Sequence, residues 1–172
     1  NKNRSNVYTP SKQTERVFPT LTKFLDPERV GVNDQPGSRD LLFYRLAETY
    51  LIAAEALLMS GNAAEATTYI NTVRRRAAKV GATAAETETN RKAMEIAPAQ
   101  LTLDFILDER ARELLGEGNR WIDLVRTGKL LERVKKYNPV SAVNIKDYHI
   151  LRPIPQQQID RTEGEFKQNA GY

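Results

Sequence analysis

The chain has 172 residues, 40% of them apolar and 28% charged, which suits one domain of ordinary size with a core and excludes a chain disordered throughout. No cysteine and a single histidine exclude a disulfide scaffold, a thiolate zinc site, a cysteine nucleophile and any two-histidine metal motif. The formal charge of +4 comes from 26 basic and 22 acidic residues that are interspersed, unlike the one-sided basic stripe of a nucleic-acid binder. The longest unbroken apolar run, Tyr50 to Ala54, is far short of the ~20 residues that span a bilayer. The chain opens on Asn1, not Met, and without a basic-then-apolar segment. We read it as part of a longer protein, any targeting signal lying outside these residues.

In chain order, residues 1–40 read as an irregular arm. Pro10, Pro19, Pro27, Pro36, Gly31 and Gly37 punctuate it, Asp34-Gln35-Pro36-Gly37 is a turn signal, and the sparse apolar residues are Val17, Phe18, Leu21, Phe24 and Leu25. Residues 41–137 carry helical periodicity. Leu46, Tyr50, Ala53, Ala54, Leu57 and Leu58 predict a first helix, stopped by Ser60-Gly61-Asn62. A second starts near Ala63, with Ala66, Tyr69, Ile70, Val73 and Ala77 as its stripe and Val80 at its end, and closes at Gly81. The short turn makes the two antiparallel. Residues 81–98 read as a loop with one helical turn near Asn90–Ile96.

Thr102 is the expected cap of a third helix carrying Leu103, Ile106, Leu107, Leu114 and Leu115, interrupted by Gly116 and Gly118. A fourth carries Trp121, Ile122, Leu124 and Val125 and stops at Gly128, and Leu130 to Tyr137 predicts one more. Residues 138–172 read as irregular, with an extended segment at Tyr148–Leu151, a single turn at Gln156–Asp160 and a tail from Gly164. No period-2 run demands a sheet. The expected fold is all-α: tetratricopeptide-like helix pairs with long irregular loops and arms.

The first helix pair has a particular spacing. Small Ala54 lies between Tyr50 and Leu57, Gly61 makes the turn, and Ala66 follows five residues later. Two alanines at a crossing let helix axes approach while larger residues interlock around them. The same pattern fits a tetratricopeptide unit or any αα-hairpin. The helices at 103–126 share the layout but not the Gly-to-Ala spacing, so a second repeat is degenerate.

Chemistry is sought in the charged string Glu109 to Gly128. Paired carboxylates such as Glu109 and Glu113, one turn apart, suit glycosidase acid–base work. Arginines among the acids argue against it, since a carboxylate beside Arg is a poor general acid. An Arg–carboxylate lattice pinning two helices around a Gly-containing joint is the favoured account, and it explains Arg rather than Lys. Trp121 could stack on a sugar but shares a face with Leu124 and Val125, which favours the core. His149 has no second ligand near it in sequence and reads as structural. Arg74-Arg75-Arg76 lies within a helical pattern, favouring a solvated face with one arginine turned inward over a phosphate patch. No phosphate loop, nucleophile elbow or metal loop is present.

Residues 43–77 (FYRLAETYLIAAEALLMSGNAAEATTYINTVRRRA), 101–130 (LTLDFILDERARELLGEGNRWIDLVRTGKL), 151–160 (LRPIPQQQID) and 168–172 (QNAGY), with the arm at 16–40, together resemble the C-terminal part of SusD/RagB-like proteins. The resemblance covers nearly the whole chain in the family's order. It implies surface-exposed lipoproteins of the Bacteroidetes outer membrane that bind glycans or other nutrients. They work with a SusC-like TonB-dependent transporter, are built on tetratricopeptide-like helix pairs, need no cofactor or metal and are not enzymes. Family members are much longer. The lipidated cysteine, which supplies the only membrane attachment, and much of the loop-rich region with glycan-stacking aromatics fall outside this chain. Ala170 departs from the family's usual proline. Glycan-binding residues are not fixed by a motif and none is carried over. Glu109, Arg110, Glu113, Glu117, Arg120, Trp121 and Asp123 match the strongest motif, and we expect a structural role for them. The expected function is non-catalytic nutrient binding with this chain as scaffold. The alternative is a helical-repeat protein–protein interaction module without a glycan ligand.

Overall fold

The computed structural model describes residues 21–31, 37–40 and 42–172. They divide into two units, Asn1–Phe43 and Tyr44–Tyr172. In the first, a 3-10 turn at Thr22–Phe24 leads to Asp26, whose carboxylate accepts the backbone N–H groups of Glu28 and Ser38 at 3.1 and 2.7 Å. The Ser38 and Glu28 N–H groups hold that carboxyl below its ordinary value. Leu21, Phe24 and Leu25 are exposed, and no described residue of this unit is buried. The predicted turn at Asp34–Pro36, together with Val17 and Phe18, lies outside the described residues.

The second unit is helical, with no strand among the described residues: α1 (Leu46–Met59), α2 (Ala63–Arg76), α3 (Ala84–Ala93), α4 (Leu103–Glu113), α5 (Arg120–Arg126), α6 (Leu130–Tyr137), α7 (Pro139–Ala142) and α8 (Gln156–Arg161). Leu, Ala and Glu fill α1, all good helix formers. Its end turns sharply at Gly61. There the Asn62 N–H reaches Leu57 O at 2.9 Å and the Gly61 N–H reaches Leu58 O at 3.0 Å, a double closure that requires the left-handed φ of +85°. Asn62 then caps α2 by accepting from the Glu65 N–H.

Leu51, Ala54, Ala66, Ile70 and Ile106 are fully inaccessible and form one core with Val73, Leu101 and Leu114. A second core gathers Leu107, Leu124 and Leu130, with Trp121, Val134 and Ile145 against it. α4 faces both, presenting Ile106 to one and Leu107 to the other.

The structure corrects the sequence-based expectations at several places. The inward stripe of α1 is Ala47, Tyr50, Leu51, Ala54, Leu57 and Leu58. Leu46, about 140° round the helix from Leu51, is 68% exposed. α2 ends at Arg76, and Ala77 and Val80 are exposed. Gly81 does not close it but packs against the Glu86 side chain at the start of α3. Residues 84–93 are a helix rather than loop. Thr83 accepts the Glu86 N–H, and Glu86 accepts the Ala82 N–H at 2.7 Å, so capping starts a helix without an apolar stripe. Leu115 and Ile122 are exposed. Tyr148–Leu151 is not extended, because a 3-10 turn occupies Asp147–Ile150. Pro139 starts α7, capped by Asn138.

Candidate functional site

The side chains of 109–123 meet partners from other helices. Glu109 accepts Arg74 Nη1 at 2.6 Å and Arg112 Nη2 at 2.7 Å. Glu113 pairs with Arg45 and Arg76, and Glu117 accepts Arg45 Nε at 2.9 Å. The bonds to Glu117 and Glu113 outweigh burial and hold the Arg45 guanidinium above its ordinary value. Arg110, 3% exposed, donates Nε to Asp123 at 2.6 Å and Nη2 to Glu48 at 3.1 Å. Asn119 donates to the same Glu48 oxygen at 3.0 Å. Asp123 also receives Arg126, which binds Glu55 on α1. Charges this deep survive only when paired, so the pairs that cross between helices, such as Arg74–Glu109, Arg110–Asp123, Arg110–Glu48 and Arg126–Glu55, fix the relative placement of those helices.

The basic run of α2 belongs to the same lattice. Arg74, Arg75 and Arg76 all end on carboxylates, Arg75 on Glu88 and Glu95. This pairing accounts for the basic run within the lattice. Arg133 on α6 is buried between Asp104 and Asp108. Arg120 differs from the rest: its Nη1 donates to Leu107 O at 2.7 Å, and among the described residues it has no ion pair, although the charges of Asp108 and Asp123 act on it.

Two grooves flank this lattice. One, of about 410 Å³, lies between α1 and α5, with Tyr44, Ile52, Met59 and Ile122 on its walls and Glu48 and Arg110 among its lining residues. Glu48 Oε2 and Arg110 Nη1 are buried there without a hydrogen-bond partner among the described residues. The other, of about 530 Å³, lies between α4, α5 and α6 and includes Asp108, Arg112, Arg120, Arg133 and Tyr137. Neither has the three clustered His, Asp or Glu ligands a metal needs, and no such group occurs among the described residues.

Trp121 is half-buried on the second core, with the Arg152 guanidinium 5.0 Å above its ring, so one face of the indole is already covered. His149 accepts the Lys146 N–H through Nδ1 at 2.8 Å and packs beside Tyr148 and Tyr172. The two C-terminal motifs clasp each other. Gln168 accepts the Ile154 N–H at 2.7 Å and donates to Ile154 O at 2.8 Å, Asn169 donates to Arg152 O, and the Tyr172 hydroxyl donates to Leu151 O.

Sequence reasoning confined to 109–128 missed Arg45, Glu48, Glu55 and Arg133, whereas Arg74 is the inward arginine expected within 74–76. One signal was present for Glu48 and for Arg133. Glu48 is an acid three residues before Leu51, on the inward stripe of α1, and Arg133 follows Leu130 by three on α6. A charge on an apolar face predicts a buried partner.

The sequence profile of the SusD family (SusD_RagB) matches residues 2–172. The chain is 38% identical over 148 residues to SusD-like protein P25 of Formosa agariphila, covering 83% of this chain and 26% of that protein. It is 34% identical over 126 residues to SusD-like protein P38 of the same organism, covering 73% and 24%. It is 32% identical over 139 residues to the starch-binding protein SusD of Bacteroides thetaiotaomicron, covering 77% and 22%. The chain thus spans about a quarter of the length of these curated relatives. No solved structure matches it.

Proposed function

The chain belongs to the SusD family, and on that premise we propose that it is part of a non-catalytic glycan-binding component of an outer-membrane uptake complex, contributing mainly helical scaffold. The observation that carries this is the family match along 2–172, with a relative named for starch binding among the similar proteins. The partner is a SusC-like TonB-dependent transporter, and the location is the cell surface of the outer membrane, with a lipid anchor outside these residues. No helix among the described residues is long and apolar enough to cross a membrane. In this proposal Glu109, Arg110, Glu113, Glu117, Arg120, Trp121 and Asp123 are structural. The arginine pairing of Glu109, Glu113, Glu117 and Asp123 supports this, since it commits these carboxylates to helix placement.

A second reading, a protein–protein interaction module, draws on the exposed Ile52, Met59 and Ile122 along the α1–α5 groove. The discriminating experiment is retention of the intact protein in native gels containing a panel of polysaccharides, with reducing ends assayed in parallel. Retention by at least one glycan without new reducing ends is the expected result. Cleavage that Glu109→Gln abolishes with the fold intact overturns the non-catalytic assignment. Co-purification with a transporter and no retention by any glycan favours the interaction module.

A further inference from the structure

We propose that the groove between α4, α5 and α6 binds the carboxylate or sulfate group of an acidic glycan, and that Arg120, beyond its structural bond to Leu107 O, is the residue that meets the anion. This rests on the glycan-binding reading above and adds the charge class of the ligand.

Five arginines lie on α4, α5 and α6: Arg110, Arg112, Arg120, Arg126 and Arg133. Four are ion-paired, Arg110 with Asp123 and Glu48, Arg112 with Glu109, Arg126 with Glu55 and Asp123, and Arg133 with Asp104 and Asp108. Arg120 alone among them has no ion pair among the described residues. A guanidinium carries five N–H donors, and a single one of these is committed, to Leu107 O. The others meet no protein acceptor among the described residues.

Cations outnumber acids around these donors. Arg112, Arg120 and Arg133 line the groove together with one acid, Asp108, which Arg133 already holds. Asp104 and Glu109, the further acids paired to these arginines, are not among the lining residues. Burial, then the charge of Arg133, outweigh the attraction of Asp108 and Asp123 and push the Arg120 guanidinium below its ordinary value. The free fork suits two parallel hydrogen bonds to the oxygens of a carboxylate or sulfate. Lys136 adds positive charge at Tyr137, its Nζ 5.0 Å from that ring, and the ring is 57% exposed.

The concavity favours a sugar over a protein side chain. At about 530 Å³ the groove falls within the roughly 300–1,000 Å³ of small-ligand sites. Val134 and Tyr137 offer apolar surface for the C–H face of a pyranose beside the cations.

Calorimetry on the intact protein tests this with an oligogalacturonate hexasaccharide (carboxylate), a carrageenan hexasaccharide (sulfate) and neutral malto- and cello-hexaose, at low and physiological salt. At least one acidic probe should bind, with affinity falling as salt rises, and the neutral probes should be markedly weaker. Arg120→Gln should weaken the acidic probe about tenfold or more, the loss of a charged hydrogen-bond pair. Arg112→Gln, on an exposed side chain, should weaken it several-fold while the protein stays folded, since Arg74 still holds Glu109, which keeps the test valid even where the Arg120 variant misfolds. Equal binding of acidic and neutral probes overturns the proposal, as does acidic binding that both variants leave untouched. Neutral binding without acidic binding overturns it and leaves the glycan-binding reading standing, whereas no binding of any glycan overturns both. Loss of transporter co-purification in Arg112→Gln, with no acidic sugar bound, assigns the groove to a protein carboxylate and overturns the glycan ligand.

Discussion

Between Leu46 and Leu130 the helices bury eleven apolar side chains, whereas between Asn138 and Tyr172 no residue is buried, and yet both stretches have a defined backbone. The first is ordered by excluded water and by charge pairs inside the apolar surroundings. The second is ordered by side-chain amides and hydroxyls that occupy backbone groups. Gln168 gives Ile154 both an acceptor and a donor, as a neighbouring strand would, and Asn71 does the same for Ile96 at 3.0 and 3.1 Å in the helical body. A carboxamide is the one neutral side chain with a donor and an acceptor in the spacing of a peptide group. Where a segment has no apolar face to bury, this substitution satisfies its backbone.

The sharpest way to break the helical body is Arg110→Ala. It takes the buried cation from Glu48 and Asp123, leaving Glu48 with Asn119 and Asp123 with Arg126, and stability should fall by about 3–5 kcal/mol in denaturant unfolding. A loss under 1 kcal/mol would mean that water reaches these acids freely. Leu51→Ala comes next, at about 2–5 kcal/mol from lost burial plus a cavity beside Ala54 and Ile70. Both should move one and the same transition.

Gly171→Ala addresses the clasp instead. Gly171 has φ +101°, and a Cβ there runs into the Tyr148 ring. The local cost should be about 1 kcal/mol or more, read as faster hydrogen exchange at the Ile154 amide while the main melt stays within about 0.5 kcal/mol. An equal shift of the main melt would show the two regions to be one cooperative unit.

The smallest effect is on the acid side. The Arg133 bond holds Asp104 below its ordinary pKa, and the Arg75 bond does so for Glu88. A depressed folded pKa means the unfolded chain takes the proton first. The contribution is complete above the ordinary carboxylate range near pH 4 and fades as pH falls through the lower folded values. Replacing Asp104 by Asn and Glu88 by Gln should lower the melt slightly at neutral pH, where the contribution is complete, and flatten its pH dependence below about pH 4.

Helices with an apolar stripe were legible. The cap at Thr102, the stop at Gly61 and the whole of α6 follow from periodicity and turn chemistry. α3 was not, because its stability draws on the Thr83–Glu86 cap and on Arg75 reaching Glu88, neither of which has a period. The inward face of α1 was legible at Tyr50, Ala54, Leu57 and Leu58 but not at Leu46 and Leu51, because those two leucines are chemically alike and the register that buries Leu51 is chosen by α2 and α4. Among the charges, the string from Glu109 to Asp123 showed that arginines and acids would pair. It could not show that Glu109 takes Arg74, that Asp123 and Glu48 share Arg110, or that Arg120 takes none.

The sequence by itself determined the helical class, most helix ends and the family, because these rest on local spacing and on motifs read along the chain. The tertiary structure decided which face each helix buries, which carboxylate each guanidinium meets and that the 151–160 and 168–172 motifs clasp each other. Those outcomes depend on groups tens of residues apart competing for the same partner. Distance and burial, which no linear pattern contains, settle that competition.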